Sequence, residues 1–142
     1  NLVVSARMTE LVLPRMLERG WGRVVVISSV FGREWGGAPA YNAAKAAENS
    51  YVKSLAREVA SKGVTVNAVA PGSILWEGGG WHRRERADPE GIAEFVKREM
   101  PMGRFGTVEE VANVVAFVCS TRASLLTGAC IPVDGGQGRS II

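Results

Sequence analysis

Histidine occurs once and cysteine twice in the 142 residues, and none of the three has partners at metal-ligand spacing. His82 therefore reads as a solvated loop residue, and no metal site is expected. Cys119 and Cys130 sit in apolar stretches and read as small buried hydrophobes of a reduced, cytoplasmic protein, not as a disulfide framework. Long hydrophobic runs are also missing. The most apolar stretches, VVVI and VNAVAP, fall far short of the roughly 20 residues that cross a bilayer, and no charged-then-apolar leader opens the chain. Neither export nor a membrane anchor is expected. Charge of one sign is scarce as well: 17 basic and 14 acidic residues leave a net +3. Apart from a local excess at WHRRERAD the charges are dispersed, which argues against a nucleic-acid-binding face. The chain has no internal repeat, no linker and no initiating methionine. It opens at Asn1 directly in an amphipathic pattern, NLVVSARMTELVLPRMLERG, like a sequence joined in mid-fold.

What is present alternates. With 46% hydrophobic and 22% charged residues the composition is that of one globular domain. The opening helix stops at Gly20, where glycine is the cheapest left-handed cap. GRVVVISS then makes a β-branched run suited to a strand buried on both faces. The glycines and proline of VFGREWGGAP forbid regular structure. From about Ala40 to Ser61 small and apolar residues recur at helical spacing, and VTVNAVA follows as a second buried strand. PGSILWEGGGWHRRERADPE reads as an irregular glycine-rich loop. A helix then starts with Asp88 as N-cap and Pro89 in its first turn, and another starts at Thr107 with Glu110 at capping-box spacing. GACIPVDGG gives a last short strand. This rhythm predicts an open α/β sheet with crossover helices.

Ligands of parallel α/β sheets bind beyond the carboxyl ends of the strands. Two predicted strands end there, at Ser28–Ser29 and at Pro71–Gly72. In the helix that follows the first of them, Tyr41 and Lys45 stand at i and i+4 and share one face. They form a candidate acid/base pair, or equally an ordinary helix-surface arrangement.

ISS, then YNAAK with its tyrosine twelve residues on, then VNAVAPG, and finally TGACIPVDGG follow in an order that resembles the C-terminal half of the short-chain dehydrogenase/reductase family, in particular its 3-oxoacyl-[acyl-carrier-protein] reductases. The likeness covers essentially the whole chain, including Asn1 ahead of LPRM. It implies a Rossmann-like doubly wound parallel sheet, present here as about three strands with flanking helices, and an NAD- or NADP-dependent oxidoreductase acting on a small carbonyl or alcohol, including an acyl thioester.

The resemblance also implies residue roles. Tyr41 exchanges a proton with the substrate oxygen. A phenol of ordinary pKa, about 10, is poorly matched to neutral pH, and the charge of Lys45 favours its phenolate form. Lys45 also contacts the nicotinamide ribose. Ser29, preferred to Ser28 because SVFG fits the family pattern, holds the substrate oxygen. Asn1 holds a water that links Lys45 to solvent. Pro71, Gly72 and Ile74 present backbone groups to the nicotinamide carboxamide. Trp76 occupies the place of a cofactor-contacting threonine, whose hydroxyl contact an indole does not reproduce. Trp76 and Trp81 either cover an acyl or ring substrate or anchor their loop.

The G-x-G-x-x-G turn that cradles a pyrophosphate does not occur, and neither does the residue that separates NAD from NADP. The expectation is therefore that residues 1–142 are a single C-terminal portion of a Rossmann-like domain lacking its dinucleotide-binding half, inactive by itself and homodimeric or homotetrameric through helices 1–19 and 40–61. Two alternatives belong to other classes: a half-fold assembly module, and a cofactor-free ligand-binding remnant.

Overall fold

The structure, a computed structural model, describes residues 1–141. Three parallel strands form its sheet in the order β1 (Gly22–Ile27), β2 (Val64–Pro71), β3 (Cys130–Val133). The register runs from Gly22↔Val64 to Ile27↔Val69 on one side of β2 and from Ala68↔Cys130 to Pro71↔Val133 on the other. Being parallel, the strands deliver their carboxyl ends to one edge. In the middle strand every residue from Val64 to Ala70 is buried, as an apolar run with neighbours on both sides requires. β1 is less enclosed than its β-branched run predicts: only Gly22 and Val26 are buried, and Ile27 is 47% exposed. The reason is its place at the edge of the described sheet, where its side away from β2 meets no further strand.

Helix α1 (Leu2–Glu18) precedes β1, and α2 (Pro39–Val59) links β1 to β2. Val52, Leu55, Ala56 and Val59 of α2 form one core with Val26, Val64, Val66 and Ala68, and Leu13, Met16 and Leu17 of α1 pack against it. Each fully buried valine contributes about 1.5–3 kcal/mol, so this seam is the main support of the layer that carries Tyr41 and Lys45. The opposite side of α1 stays apolar yet open, with Val4, Met8 and Leu11 exposed. Two glycines meet where the helices end. Gly20 and Gly63 both take positive φ, and a Cβ on Gly63 would lie 2.0 Å from the Gly20 carbonyl oxygen. Any side chain there would force the ends of α1 and α2 apart.

Helices α3 (Gly80–Ala87), α4 (Pro89–Glu99) and α5 (Val108–Cys119) fill the connection from β2 to β3. The Asp88 side chain accepts the Gly91 N–H, and Thr107 with Glu110 forms the expected capping box. Arg104 and the Thr107 amide hold the Glu110 carboxyl down at about 2. A carboxyl lowered on folding stabilises above its unfolded value, so this contribution is complete at neutral pH and is lost as pH falls toward 2.

Four expectations need correction. The stretch before Asp88 is not irregular, because GWHRRERA forms α3, where the His82 Nδ1 accepts the Gly78 N–H. The loop after β1 holds a 3-10 turn at Val30–Gly32, and its Pro39 is the first residue of α2, where a missing N–H costs nothing. α2 ends at Val59, and Ala60–Lys62 continue as a 3-10 turn. Both cysteines are only partly buried. Burial nevertheless pushes the Cys130 thiol up, which keeps it protonated and unreactive. Among the described residues no helix is long and apolar enough to cross a membrane.

Candidate active site

The carboxyl end of β1 is bound to α2 at the turn that carries Lys45. The Ser28 N–H reaches the Val69 carbonyl at 2.7 Å, and its hydroxyl donates to the Lys45 carbonyl at 3.3 Å. Ser28 is thus consumed by the scaffold. Ser29 differs: its Oγ accepts the Phe31 N–H at 3.2 Å, which leaves the hydroxyl proton to donate elsewhere. Gly32 lets the turn lie against the helix. A Cβ there would sit 2.8 Å from the Lys45 carbonyl oxygen, while the Asn49 amide donates to the Gly32 carbonyl at 3.0 Å. The Asn42 side chain then ties down the Glu34 carbonyl at 3.0 Å.

On this scaffold Tyr41 is 39% exposed and Lys45 is 7% exposed, so the phenol is open while the ammonium is sunk beneath it. The Lys45 Nζ stands 5.8 Å from the centre of the Tyr41 ring. It donates 2.7 Å to the Ile27 carbonyl and 2.9 Å to Oε2 of Glu48. An ammonium has three hydrogens; two are committed and one remains. Glu48 is a participant the sequence reading missed. A glutamate three residues after a lysine looks like a solvated helix pair, and only the packing of α1 over it, with the Ser5 hydroxyl donating to Oε1 at 3.1 Å, buries it.

Beyond β2 the backbone is held on one side. Gly72 N–H donates to the Val133 carbonyl at 3.1 Å, and Ser73 N–H to the Gln137 side chain at 2.7 Å. Ser73 and Leu75 bridge Gly106, leaving the N–H and C=O of Ile74 directed away from that bridge. Of the three residues expected to offer backbone groups, Pro71 has no N–H and that of Gly72 is engaged, so Ile74 is the one with both groups turned outward. Asn1 lies exposed ahead of α1; its carbonyl accepts the N–H groups of Val4 and Ser5, and its side chain makes no cap bond.

A cleft of about 860 Å³ opens beside these strand ends, walled by Phe31, Trp35, Ser73, Trp81, Phe95 and Arg139 among others. Tyr41 and Ser29 do not line it; the loop between them does. Trp81 is an anchor as well as a wall: it stacks on Phe95 with ring centres 4.7 Å apart and tilts against Phe105 at 5.2 Å. Trp76 is 51% exposed and stands outside this cleft's lining. The third wall is the C-terminal segment. The Glu34 carboxylate accepts the backbone N–H groups of Arg139 and Ser140, and the Arg139 guanidinium reaches Glu99 of α4 at 2.8 Å.

Parallel strands ending at a tyrosine–lysine helix define an α/β protein of Rossmann-like architecture with its candidate site at the carboxyl edge of the sheet. The profile of the family described as "Enoyl-(Acyl carrier protein) reductase" matches residues 1–137. The chain is 42% identical over 138 residues to the 3-oxoacyl-[acyl-carrier-protein] reductase FabG of Pseudomonas aeruginosa, covering 96% of this chain and 53% of that one. It is 40% identical over 139 residues to the acetoacetyl-CoA reductase of Shinella zoogloeoides, covering 96% and 55%. Among solved structures it superposes with TM-score 0.88 and 40% identity on a short chain dehydrogenase/reductase family oxidoreductase from Burkholderia thailandensis, over 96% of this chain and 53% of that one. It matches equally, at TM-score 0.88 and 37% identity, a 3-oxoacyl (acyl-carrier-protein) reductase from Agrobacterium tumefaciens with NADP bound, over 96% and 52%. The chain belongs to the short-chain dehydrogenase/reductase family. It spans about half the length of the curated relatives it matches.

Proposed function

We propose that residues 1–142 form the C-terminal portion of one Rossmann-like domain in an NAD- or NADP-dependent oxidoreductase that reduces a carbonyl or oxidises an alcohol. The observation that carries this reading is the exposed Tyr41 phenol above a buried Lys45 ammonium at the carboxyl edge of the sheet. Relatives named as 3-oxoacyl-[acyl-carrier-protein] and acetoacetyl-CoA reductases point to a β-ketoacyl thioester as the substrate class.

The residues fit a nicotinamide dinucleotide: Ile74 offers an outward N–H and C=O, and Lys45 keeps one N–H uncommitted. When bound, that group supplies or accepts the hydride. Tyr41 holds the proton that passes to or from the substrate oxygen, and the Ser29 hydroxyl donates to the same oxygen as charge develops on it. The Lys45 charge favours phenolate and its remaining hydrogen is available to a ribose hydroxyl. With that hydrogen taken, a water held by Asn1 joins the proton path through the ribose hydroxyl and not through Lys45 itself.

The test is oxidation of NADH and NADPH by the full-length protein with β-ketoacyl thioesters and simple ketones. Turnover is expected there and not from residues 1–142 alone, which lack a pyrophosphate-binding turn; robust turnover by the shorter chain would overturn that half of the reading. Ser29→Ala should lower the rate by the hundredfold or more typical of an oxyanion donor, whereas Ser28→Ala should affect mainly stability. Equal rate losses would remove Ser29 from its role.

The open face of α1 supports self-association with two-fold symmetry, since monomers rarely leave such a contiguous apolar stripe uncovered. The stripe is carried by Val4, Met8 and Leu11 on α1, while α2 exposes no large aliphatic side chain among those described. Light scattering of the full-length protein should give an even-numbered oligomer, and Met8→Glu with Leu11→Glu should dissociate it. A monomer before substitution would contradict the assignment.

A further inference from the structure

Glu48 is 1% exposed and is among the largest fully buried side chains of the molecule, an uncommon fate for an acid. Its two carboxylate oxygens face different elements. Oε2 takes the Lys45 ammonium at 2.9 Å, and Oε1 takes the Ser5 hydroxyl of α1 at 3.1 Å. Both members of the pair are shielded, with side chains 9% and 2% exposed. Burying two charges is costly unless each is tightly paired, so a pair placed this deep beneath the proposed acid/base residue calls for a role beyond stability.

We propose that Glu48 is the positioning residue of the site: it fixes the Lys45 ammonium against the end of β1, and its negative charge sets how much of the ammonium's field reaches the Tyr41 phenol. The first part follows from the geometry. A lysine on a flexible stem is held here by two acceptors, the Ile27 carbonyl and Glu48, at right of way for only one further bond. The second part follows from charge. Lys45 alone would place a full positive charge near the ring; with Glu48 beside it the pair is neutral overall, and the phenolate is favoured less strongly. Among the described residues, neighbouring elements bring to this part of α2 the ionisable groups Cys130 of β3, hydrogen-bonded to Asn49, and Arg33 of the turn after β1, whose charge acts on that thiol. From α1 the facing group is the uncharged Ser5, and from β1 the Ile27 carbonyl.

This inference rests on the reading of Tyr41 as the proton-exchanging group, and two readouts separate the failure of one from the failure of the other. In the full-length protein, tyrosinate absorbance is followed against pH as the difference between each protein and its Tyr41→Phe counterpart, which reports the phenol whether or not it catalyses. The pH–rate profile is recorded in parallel. Glu48→Gln keeps the shape and both hydrogen-bond partners while removing the charge. It should move tyrosinate formation, and with it the rate limb, to lower pH. Glu48→Asp, which restores the charge, should return both toward the wild-type position. Ser5→Ala, a substitution that a helix tolerates, strips a donor from the carboxylate, weakens its negative form and should move both readouts in the direction of Glu48→Gln, by less. It carries the test if Glu48→Gln does not fold. A tyrosinate curve unmoved by Glu48→Gln, or, where that protein is lost, unmoved by Ser5→Ala, overturns the role of Glu48. Full activity of Tyr41→Phe would instead overturn the underlying catalytic reading.

Discussion

Replacing Tyr41 by phenylalanine in the full-length protein should slow the chemical step by the 10²–10⁴-fold typical of an acid/base residue while leaving the fold intact. The ring is 39% exposed and its hydroxyl has no hydrogen-bond partner among those described, so the substitution removes the transferable proton without opening a cavity or orphaning a buried group. The loss should fall on kcat, since ground-state binding does not depend on the proton. Lys45→Met should act differently. It withdraws the charge that favours phenolate, it removes the hydrogen available to the ribose, and it leaves Glu48 buried without its cation, so rate, cofactor affinity and stability should all fall. Steady-state kinetics across pH, with circular dichroism as the folding control, check both. Near-normal kcat in Tyr41→Phe would reduce YNAAK to a helix-surface pair.

The second large effect is on stability. Asn67 is wholly buried in β2, where its amide nitrogen donates to the Leu126 carbonyl at 2.8 Å and its oxygen accepts the Ala129 N–H at 3.1 Å. Around it the Gly128 N–H reaches the Val66 carbonyl at 2.7 Å, and the Thr127 hydroxyl accepts the Val66 N–H at 3.1 Å. One side chain therefore satisfies two backbone groups of the turn that feeds β3. Asn67→Leu matches the volume but leaves the Leu126 carbonyl and the Ala129 N–H, both in a half-buried turn, without their partner, at up to about 1–3 kcal/mol each. A loss of roughly 2–5 kcal/mol in urea unfolding of the full-length protein is expected, together with faster hydrogen exchange at the Ala129 amide. A change below about 0.5 kcal/mol, the range of an uninvolved surface position, would mean that the turn pairs with something else.

What could be read in advance followed from patterns that local chemistry enforces. VVVI and VTVNAVA are β-branched runs with few other uses, the alanine-rich spacing of residues 40–61 leaves one apolar face, and Thr107 with Glu110 closes a capping box that needs no tertiary help. The tyrosine–lysine spacing placed both groups on one helical face for the same reason. GWHRRERA was illegible because three arginines and a leading glycine carry no apolar period; α3 is held instead by Trp81 against Phe95 and Phe105, rings contributed from α4 and the segment beyond it. β1 is less enclosed than its run suggests because no strand pairs with its outer side among the described residues, which span about half the length of the relatives. Glu48 escaped notice because its spacing from Lys45 suits a surface ion pair, and only the approach of Ser5 from α1 turns it inward. The distinction between Ser28 and Ser29 likewise became physical only once the Lys45 carbonyl was seen to take the Ser28 hydroxyl.

The Glu34 carboxylate joins residues 105 and 106 positions apart along the chain, and this bears on the order in which the molecule assembles. Contacts between distant residues carry the greatest chain-closure entropy and gain nothing until the intervening structure exists. β1, β2 and the helix bearing Tyr41 and Lys45 are complete in outline by Pro71, whereas β3 awaits Cys130–Val133 and the cleft's third wall awaits Arg139 and Ser140. During synthesis the proposed proton-handling groups are therefore in place well before the chamber beside them is enclosed, so the cleft that would select a ligand is the later part to form.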